Sequence, residues 1–449
     1  MIVFINRNCM PKYHIVTFGC QMNKNDSERI AGLLSEIGFS ATENEAEADL
    51  ILMNTCSVRQ SAEERIFGKM KDYKELKETN PGLIVAVTGC MAGRDHDGAL
   101  RKRLQYVDLF FPTRDMVNLP RWIAELRPEL VNGSGTEADY LKIRPLRLPS
   151  AQAYVTIQTG CNNFCTYCVV PYARGLESNR SVKDVLRETR ELADAGVLEV
   201  TLLGQAVNAY RAPDPENFSE GNPYSDHFAA LLWEINQIER LERLNWTAAY
   251  PSNMTDEVID ALGLPKQVRF LHLPVQAGSD TVLKRMNRKY SRDQYLGIVD
   301  KIRSRQPDLA LGTDIIVGFC GETDAEFAET VDLYERCAFD ISYTAQYSER
   351  SGTLAVKLYE DDVPTEVKRD RWNDLQMLME KTVLAKNQAY VDKVVKVLVE
   401  KVENGKASGN SEHLKLTVFD SEDTSLVGKI VPVHIFEAQT WRLMGRLLS

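Results

Sequence analysis

Along residues 1–125, continuous apolar runs typical of buried strands alternate with segments whose apolar residues have helical spacing. Apolar runs at 13–18, 49–54 and 82–89 have the length of buried strands. Between them, "NDSERIAGLLSEIG" and "SAEERIFGKMKDYKELKE" place apolar residues at helical spacing. Asp26 and Ser27 have side chains that favour a helix start, so we expect the first helix to begin there. Strand–helix alternation of this kind predicts a parallel sheet with helices on its faces.

The alternation resumes after a polar segment, residues 128–150, whose Gly, Ser and Pro content predicts a linker. Helical patterns separate most of the six apolar runs that follow, at 153–158, 199–204, 243–248, 268–273, 309–319 and 340–347. Eight strand–helix units would predict a closed barrel. Six units predict a partial (β/α)6 barrel that is open on one side.

The period changes to two after a polar helical stretch near residue 390. Four segments alternate apolar and polar residues between Gly, Asn and Ser turns: "KVVKVLVEKV", "HLKLTVF", "KIVPVHIF" and "QTWRLMG". Several short strands of this kind predict a small β-barrel. The sequence therefore predicts an α/β protein of three domains, with an N-terminal parallel-sheet domain at 12–128, a partial (β/α)6 barrel at 147–378 and a small β-barrel at 383–446.

Composition narrows the class of protein. Of the 449 residues, 44% are hydrophobic and 26% are charged, as expected for a globular protein with several cores. No apolar run approaches the ~20 residues that a membrane-spanning helix needs, and the start "MIVFINRNCMPKYH" lacks the core of a signal peptide. We expect a cytoplasmic protein without membrane contact. In that compartment the nine cysteines are better explained as metal ligands or catalytic thiols than as disulfides.

Charge is unevenly distributed along the chain. The formal net charge is −10, yet residues 141–190 hold eight basic and three acidic residues, and residues 284–305 hold eight and two. Such stretches can bind phosphates while the remaining surface stays acidic. Charge alone equally allows solvated helix faces.

Three cysteines fall within eight positions directly after the first predicted barrel strand. They are Cys161, Cys165 and Cys168, spaced CxxxCxxC. Thiolates select zinc, Cu(I) or iron–sulfur clusters, and a structural zinc site requires four protein ligands where this loop offers three. The pattern favours an iron–sulfur cluster with three protein ligands, with zinc or purely structural cysteines as the alternatives. Three ligands on a four-iron cluster leave one iron open to a small molecule.

Three further cysteines share a structural position. Cys20, Cys56 and Cys90 each lie just past the carboxyl end of a predicted parallel strand, where open α/β sheets bind ligands. Adjacent parallel strands lie ~4.8 Å apart, so the three thiols can converge on one cluster. One such cysteine alone would more readily be a core residue. We interpret the remaining cysteines, at positions 9, 320 and 337, as ordinary residues.

The contexts of these cysteines resemble the methylthiotransferase family of radical S-adenosylmethionine (SAM) enzymes over nearly the whole chain. The motifs that carry the resemblance are "GCQMNKNDSE" (19–28), "NTCSVR" (54–59), "TGCMA" (88–92) and "NNFCTYCVVPYARG" (162–175). The resemblance implies a [4Fe-4S] cluster on each cysteine triad, a radical SAM core, and a C-terminal RNA-binding barrel called TRAM. It also implies two SAM molecules per turnover, one that methylates sulfur and one that yields the 5′-deoxyadenosyl radical.

The resemblance also implies contacts with SAM. Tyr167, the aromatic residue before the last cysteine of the loop, is expected near the adenine of SAM. Gly204 and Gln205 end the second barrel strand at the catalytic rim. Arg288 is a candidate partner of the SAM carboxylate, and Arg174 of SAM or of a phosphate. Each of these arginines can also be a surface ion pair or a packing residue, and no side chain is predicted to act as an acid–base catalyst.

Within the family, the chain is most similar to members that methylthiolate carbon 2 of N6-isopentenyladenosine next to the tRNA anticodon. The segments that carry this are "LLGQAVNAY" (202–210), "LHLPVQAGSDTVLKRMNRKY" (271–290) and "TDIIVGFCGET" (313–323). Ala206 stands where these members usually have Asn, and Cys320 where they usually have Pro. Two alternatives within the family are a methylthiotransferase that acts on threonylcarbamoyl-adenosine tRNA and one that acts on a ribosomal-protein aspartate. A more distant alternative is an RNA-binding module with structural metal.

The expected partners follow from that chemistry. They are the tRNA anticodon stem-loop, an electron donor such as flavodoxin or ferredoxin, and an iron–sulfur carrier, with the protein itself a monomer. An unpaired loop base can be extruded into a pocket, and phosphate contacts from the two basic stretches would orient the stem.

Overall fold

The N-terminal apolar runs form a parallel sheet in the computed structural model, which describes residues 10–57, 60–132 and 139–448. Its strands are β1 (Lys12–Phe18), β2 (Ser40–Ala41), β3 (Leu50–Thr55), β4 (Ile84–Gly89) and β5 (Leu109–Phe110). They pair in parallel in the order β2-β1-β3-β4-β5. The helices are α1 (Gln21–Glu36), α2 (Gln60–Thr79), α3 (Cys90–Arg94), α4 (Ala99–Lys102) and α5 (Leu119–Leu126). Strands β3 and β4 are buried throughout because helices cover both faces of the sheet.

Helix α1 begins five residues before the position that the sequence predicts. Its first residue is Gln21 and its N-cap is Cys20, so the expected start at Asp26 and Ser27 is wrong. Asp26 instead lies inside the helix and is fully buried. The earlier start places Cys20 at the beginning of α1. It also places the carboxylate of Asp26 inside the helix, where it packs against Arg174.

The second set of apolar runs forms six parallel strands in chain order: β6 (Gln152–Thr156), then, after the short hairpin of β7 (Gln158–Thr159) and β8 (Ser178–Asn179), β9 (Glu199–Leu203), β10 (Arg243–Trp246), β11 (Phe270–His272), β12 (Ala310–Val317) and β13 (Ile341–Gln346). Two three-stranded sheets, β6-β9-β10 and β11-β12-β13, are joined by a parallel bridge between Leu244 and Gln267. This arrangement confirms the predicted partial (β/α)6 barrel.

Helices surround this barrel on its outer face. They are α6 (Val170–Arg174), α7 (Val182–Asp194), α8 (His227–Asn236), α9 (Asp256–Ala261), α10 (Asp280–Arg285), α11 (Arg292–Arg305), α12 (Asp324–Cys337), α13 (Leu354–Leu358) and α14 (Thr365–Gln388). Alternate residues of β12, such as Ile315 and Val317, are fully buried against them. Residues of the inner face, such as Asp314, keep some solvent exposure, as expected for a barrel that does not close.

Both open edges of the barrel are covered. At the β6 edge, the carbonyl of Tyr154 accepts hydrogen bonds from Asn25 Nδ2 of α1, at 3.2 Å, and from Arg147 Nη2, at 2.7 Å. At the β13 edge, Trp372 Nε1 of α14 donates to the carbonyl of Thr344 at 2.9 Å. Unpaired strand edges readily pair with other chains unless they are covered in this way. The N-terminal domain therefore lies beside β6, the strand that leads into the CxxxCxxC loop.

The described part of the predicted linker packs into the N-terminal core. Tyr140, Leu141 and Ile143 are buried there, and Arg29 Nη1 donates to the carbonyls of Tyr140 and Ile143. A polar composition indicated a linker, but three apolar side chains suffice to anchor this short segment. The proposed domain boundaries at 128 and 147 stay predictions.

The C-terminal segments form a closed barrel that packs on the amino ends of the barrel strands. Its strands, β14 (Val394–Glu403), β15 (Lys406–Ser411), β16 (Leu416–Asp420), β17 (Ile430–Ala438) and β18 (Leu443–Leu447), close in the order β14-β15-β16-β18-β17. Arg243 at the start of β10 donates to the carbonyls of Asn410 and Lys396, and the amide of Arg269 donates to the carbonyl of Glu412. In the described ranges, no helix combines the length and apolarity needed to span a bilayer.

Candidate iron–sulfur and SAM site

The N-terminal cysteines lie at the ends of three adjacent strands. Cys20 follows β1, Cys56 follows β3 and Cys90 follows β4, and these strands are neighbours in the sheet. The amide of Cys56 donates to the carbonyl of Phe18 at 2.7 Å, which keeps the ends of β1 and β3 together. Cys56 and Cys90 are buried, whereas Cys20 is exposed. The structure thus brings the three cysteines to one edge of the sheet, as the sequence predicts.

The ionisation of Cys90 depends mainly on its burial. Burial raises the pKa of Cys90, the Arg174 guanidinium lowers it and the Cys56 and Cys20 sulfurs raise it, which leaves the pKa at about 11. A metal must displace this proton, because the thiolate is the ligand.

The CxxxCxxC loop is held so that its sulfurs accept hydrogen bonds. Asn163 Nδ2 donates to Cys161 Sγ, the Val170 amide to Cys168 Sγ and Arg288 Nη1 to Cys165 Sγ, each at 3.4 Å. Burial raises the pKa of Cys168 to about 12 and also raises the pKa of Cys161. Donors aimed at sulfur stabilise the thiolate form and tune an iron–sulfur cluster.

The donor set fits two iron–sulfur clusters better than two single ions. Each triad supplies three soft thiolates, which select iron–sulfur clusters, whereas a structural zinc site requires four protein ligands. All eight cysteines of the described ranges are free thiols.

Two helices next to the cysteine triads touch each other. Helix α3 begins with Cys90, and α6 follows the CxxxCxxC loop. A Cβ added to Gly93 of α3 would lie 2.2 Å from the carbonyl oxygen and 2.9 Å from the Cα of Ala173 in α6. Real side chains do not approach so closely, so glycine at this position allows backbone-to-backbone contact. The sequence places these helices about eighty residues apart, and no local signal indicates their contact.

Arg288 lies beside the loop with its guanidinium already bound. Besides Cys165 Sγ, it donates to Tyr290 Oη at 2.8 Å and to the carbonyl of Pro274 at 3.0 Å. Its guanidinium carbon lies 4.5 Å from the ring centre of Tyr250. The residue is therefore at the predicted site, and its contact with the SAM carboxylate stays a prediction.

The other predicted SAM residues line the same region. Tyr167 is next to Cys165, Cys168 and Arg288, and burial raises its pKa well above the ordinary value. A Cβ on Gly204 would lie 3.0 Å from Gln158 Oε1, so glycine allows the end of β9 to lie close to the Gln158 side chain. Gln205 Oε1 is buried without a hydrogen-bond partner in the described part of the chain. An orphaned acceptor at the rim fits a bound polar ligand.

Arg174 occupies a different environment from the one that the sequence suggests. Its Nη2 lies 2.6 Å from Asp26 Oδ2 in α1, and the two side chains are 3% and 0% exposed. Tyr140 Oη donates to Asp26 Oδ1 at 2.6 Å. A contact of Arg174 with SAM or phosphate stays a prediction, whereas its contact with the N-terminal domain is direct.

Sequence reasoning missed Asp26, Tyr140 and Asn163. Asp26 was assigned to a helix start, and Tyr140 lies in the predicted linker. The spacing held no signal for Asp26, because residues six positions apart do not share a helix face. For Asn163 the signal was its place between two cysteines.

The basic stretch 284–305 is largely neutralised by acidic partners. Its ion pairs are Arg285–Glu326, Arg292–Asp332, Lys301–Asp256, Arg303–Asp340 and Arg305–Asp260. Most of the basic residues in this stretch therefore form ion pairs on helix surfaces. Phosphate binding by this stretch stays a prediction.

The residues that depart from the family pattern lie in the core. They are Ala206 and Cys320, which are buried among apolar side chains. Cys337 is buried in the same core, which agrees with the interpretation of Cys320 and Cys337 as ordinary residues. Ala206 donates its amide to Gln158 Oε1 at 3.3 Å. Cys9 lies outside the described residues.

Comparisons with known proteins agree with this geometry. Residues 12–112 match the uncharacterized protein family UPF0004, and residues 155–334 match the radical SAM superfamily. Among solved structures, a radical SAM methyltransferase, TsrM, from Kitasatospora setae shares the fold with a TM-score of 0.56 at 14% identity, over 89% of this chain and 77% of that chain.

Two curated relatives cover nearly the whole chain. The tRNA-2-methylthio-N(6)-dimethylallyladenosine synthase of Thermoanaerobacter sp. (strain X514) is 42% identical over 97% of this chain and 93% of its own length. The protein of the same name from Moorella thermoacetica is 41% identical over 97% and 98%. The chain belongs to the tRNA-2-methylthio-N(6)-dimethylallyladenosine synthase family of radical SAM enzymes.

Proposed function

We propose that this enzyme adds a methylthio group to carbon 2 of N6-isopentenyladenosine next to the tRNA anticodon. The single observation that supports the proposal is the contact between α3, which begins with Cys90, and α6, which directly follows the CxxxCxxC loop. Carbon 2 of an adenine carries a hydrogen without useful acidity, so a base alone cannot replace it with sulfur. Two clusters and SAM, when bound, supply the radical chemistry and the sulfur.

The chain's own residues bind and orient these groups. Cys161, Cys165 and Cys168 are the proposed ligands of the cluster that cleaves SAM, and Cys20, Cys56 and Cys90 those of the auxiliary cluster. Tyr167, Gly204, Gln205 and Arg288 are the proposed contacts of SAM. The hydrogen bonds to the three loop sulfurs hold them in place before the cofactor binds.

The remaining parts of the proposal concern the partners and the domains. The substrate is the anticodon stem-loop of tRNA, and the electrons come from a donor such as flavodoxin or ferredoxin, with cluster delivery by an iron–sulfur carrier. We place the enzyme in the cytoplasm, since free thiols persist in a reducing compartment. We also propose that it is a monomer. Its domains are the cluster domain at 12–128, the radical SAM core at 147–378 and a TRAM-like RNA-binding barrel at 383–446.

The test is a reconstitution assay. The protein is loaded anaerobically with iron and sulfide and mixed with SAM, a reductant and an anticodon stem-loop that carries N6-isopentenyladenosine. We expect 5′-deoxyadenosine and the 2-methylthio nucleoside by mass spectrometry. Stem-loops with unmodified adenosine or threonylcarbamoyl-adenosine, and the ribosomal protein, are tested as alternative substrates (competitors of the proposed one). Product only on one of these competitors would contradict the substrate assignment, and absence of 5′-deoxyadenosine in every mixture would contradict the enzymatic assignment.

A further inference from the structure

The inner wall of the partial barrel carries an acidic side chain beside an aromatic one. On β12, Ile315 and Val317 are fully buried against the outer helices, so Asp314 faces the opposite side, and its side chain is 40% exposed. Its register partner on β13 is Tyr343, which is 58% exposed. The neighbouring Ser342 bonds Tyr334 Oη of the outer helix α12, so Tyr343 also faces inward.

The imidazole of His272 on β11 holds this carboxylate. Its Nε2 lies 3.1 Å from Asp314 Oδ1, and its ring centroid lies 5.7 Å from that of Tyr343. Glycine at position 312 makes room for the imidazole, because a Cβ there would lie 3.0 Å from His272 Nδ1. Among the residues that the structure describes, no other side chain pairs with the Asp314 carboxylate. The carboxylate therefore keeps acceptor capacity for a ligand.

A short series of contacts places this carboxylate near the cluster loop. Arg288 donates to Cys165 Sγ at 3.4 Å and to the carbonyl of Pro274 at 3.0 Å. Pro274 comes two residues after His272, which is about 7 Å along an extended chain. Asp314 thus lies inside the barrel, next to the rim that carries the CxxxCxxC loop. A base that enters the barrel from that rim meets the carboxylate.

The carboxylate and the aromatic ring match two features of an N6-substituted adenine. Such a base keeps one hydrogen on N6, which a carboxylate accepts in a charge-assisted hydrogen bond. Bases that leave a stack are typically recognised by hydrogen bonds to their edges and by contact with aromatic side chains. N6 is bonded to the six-membered ring that contains carbon 2, so a fixed acceptor for the N6 hydrogen also orients carbon 2.

We propose that Asp314 is a specificity-determining residue that accepts the N6 hydrogen of the substrate base, while His272 holds the carboxylate and Tyr343 lies beside the base. The inference rests on the proposed function, since it needs an N6-substituted adenosine inside the barrel. It assigns recognition of the base to the wall formed by β12 and β13, apart from the residues proposed to contact SAM. The contact favours a base with one N6 substituent over a base with two.

The experiment compares the binding of two stem-loops. One carries N6-isopentenyladenosine, and the other carries N6-methyl-N6-isopentenyladenosine, which has no N6 hydrogen. Fluorescence anisotropy measures both dissociation constants for cluster-loaded, full-length protein with SAM and without reductant, so that no product forms. The variants are D314N, which keeps a neutral acceptor, and D314L, which has no acceptor. The control is E45Q, which alters a His–carboxylate pair of the N-terminal domain, His14–Glu45.

We expect the unmodified protein and E45Q to bind the isopentenyl stem-loop at least about 10-fold more tightly than the N6-methylated one, the usual effect of a hydrogen bond to a charged group. This ratio should fall in D314N and disappear in D314L. An equal ratio in D314L and the unmodified protein would overturn the inference, because the methyl group would then act by its size alone. So would equal binding of the two stem-loops by the unmodified protein. Failure of the proposed function appears separately, because the unmodified protein would then not methylthiolate the isopentenyl stem-loop once reductant is added.

Discussion

At the scale of single residues, Arg288 contacts the CxxxCxxC loop directly. It donates to Cys165 Sγ and to Tyr290 Oη, and its guanidinium lies against the ring of Tyr250. A lysine keeps the charge but cannot form these bonds together, because it lacks the planar fork. We expect R288K to lower the rate of 5′-deoxyadenosine formation by about 10–100-fold, the usual cost of losing a partner of a metal ligand.

The check on this prediction is a SAM cleavage assay with matched iron content. R292K is the control, because Arg292 also forms an ion pair, with Asp332, and has no hydrogen bond to a predicted cluster ligand. Equal rates for R288K and the unmodified protein would show that Arg288 does not contribute to SAM cleavage.

Glu326 provides a pH-dependent test of stability. Burial acts to raise its pKa, but hydrogen bonds from Arg285, Thr281 and the Thr323 amide outweigh burial and lower the pKa to about 2, from an ordinary 4.5. The ionised carboxylate therefore stabilises the fold above about pH 4.5, and this contribution is lost as the pH falls towards 2. E326Q should lose about 1–2 kcal/mol at neutral pH, a value reduced for solvent screening.

Urea unfolding of the metal-free protein at neutral pH and at about pH 3 measures this difference. The gap between the unmodified protein and E326Q should narrow at the lower pH. A gap that is constant or wider in acid would show that the carboxylate does not act through its charge.

At the scale of secondary structure, the contact of α3 with α6 is the feature on which the site depends. G93A would force a methyl group against the Ala173 backbone and separate the two helices. We expect SAM cleavage to persist while the methylthio product falls by about 100-fold, since misplacement by about 1 Å can cost that much. G68A is the control, because Gly68 is an exposed glycine of α2 with open space around it. Equal product yields from the two variants would contradict a role for close contact.

The sequence predicts the elements better than it predicts their contacts. Strand ends follow from local apolar runs, so the positions of Cys20, Cys56 and Cys90 at one sheet edge could be inferred from the chain alone. The Arg174–Asp26 pair joins residues 148 positions apart, and such pairs depend on how domains dock. The start of α1 was misjudged because Asp26 has the side chain of a helix cap while tertiary packing places it inside the helix.

At the scale of the whole molecule, the C-terminal barrel lies at the amino ends of the strands, opposite the cysteine triads. Its surface exposes Phe436 and Trp441, at 43% and 53%, and Arg446 lies over the Phe436 ring. Aromatic and arginine side chains of this kind stack on unpaired bases for about 1–3 kcal/mol each. We expect F436A and W441A each to weaken stem-loop binding by about 5-fold or more, without effect on SAM cleavage in the absence of RNA.

Fluorescence anisotropy with a labelled stem-loop measures that affinity. V427A is the control, because Val427 is an exposed aliphatic residue of the same barrel. Unchanged affinity in both aromatic variants would place the RNA elsewhere on the protein.

The account as a whole rests on two separate clusters with different tasks. The most direct measurement compares the variant C20A/C56A/C90A with the unmodified enzyme, by iron content, 5′-deoxyadenosine and modified nucleoside in one anaerobic reaction. We predict half the iron, continued release of 5′-deoxyadenosine and no 2-methylthio product. Full iron content, or sulfur insertion that survives the loss of these three cysteines, would contradict the account.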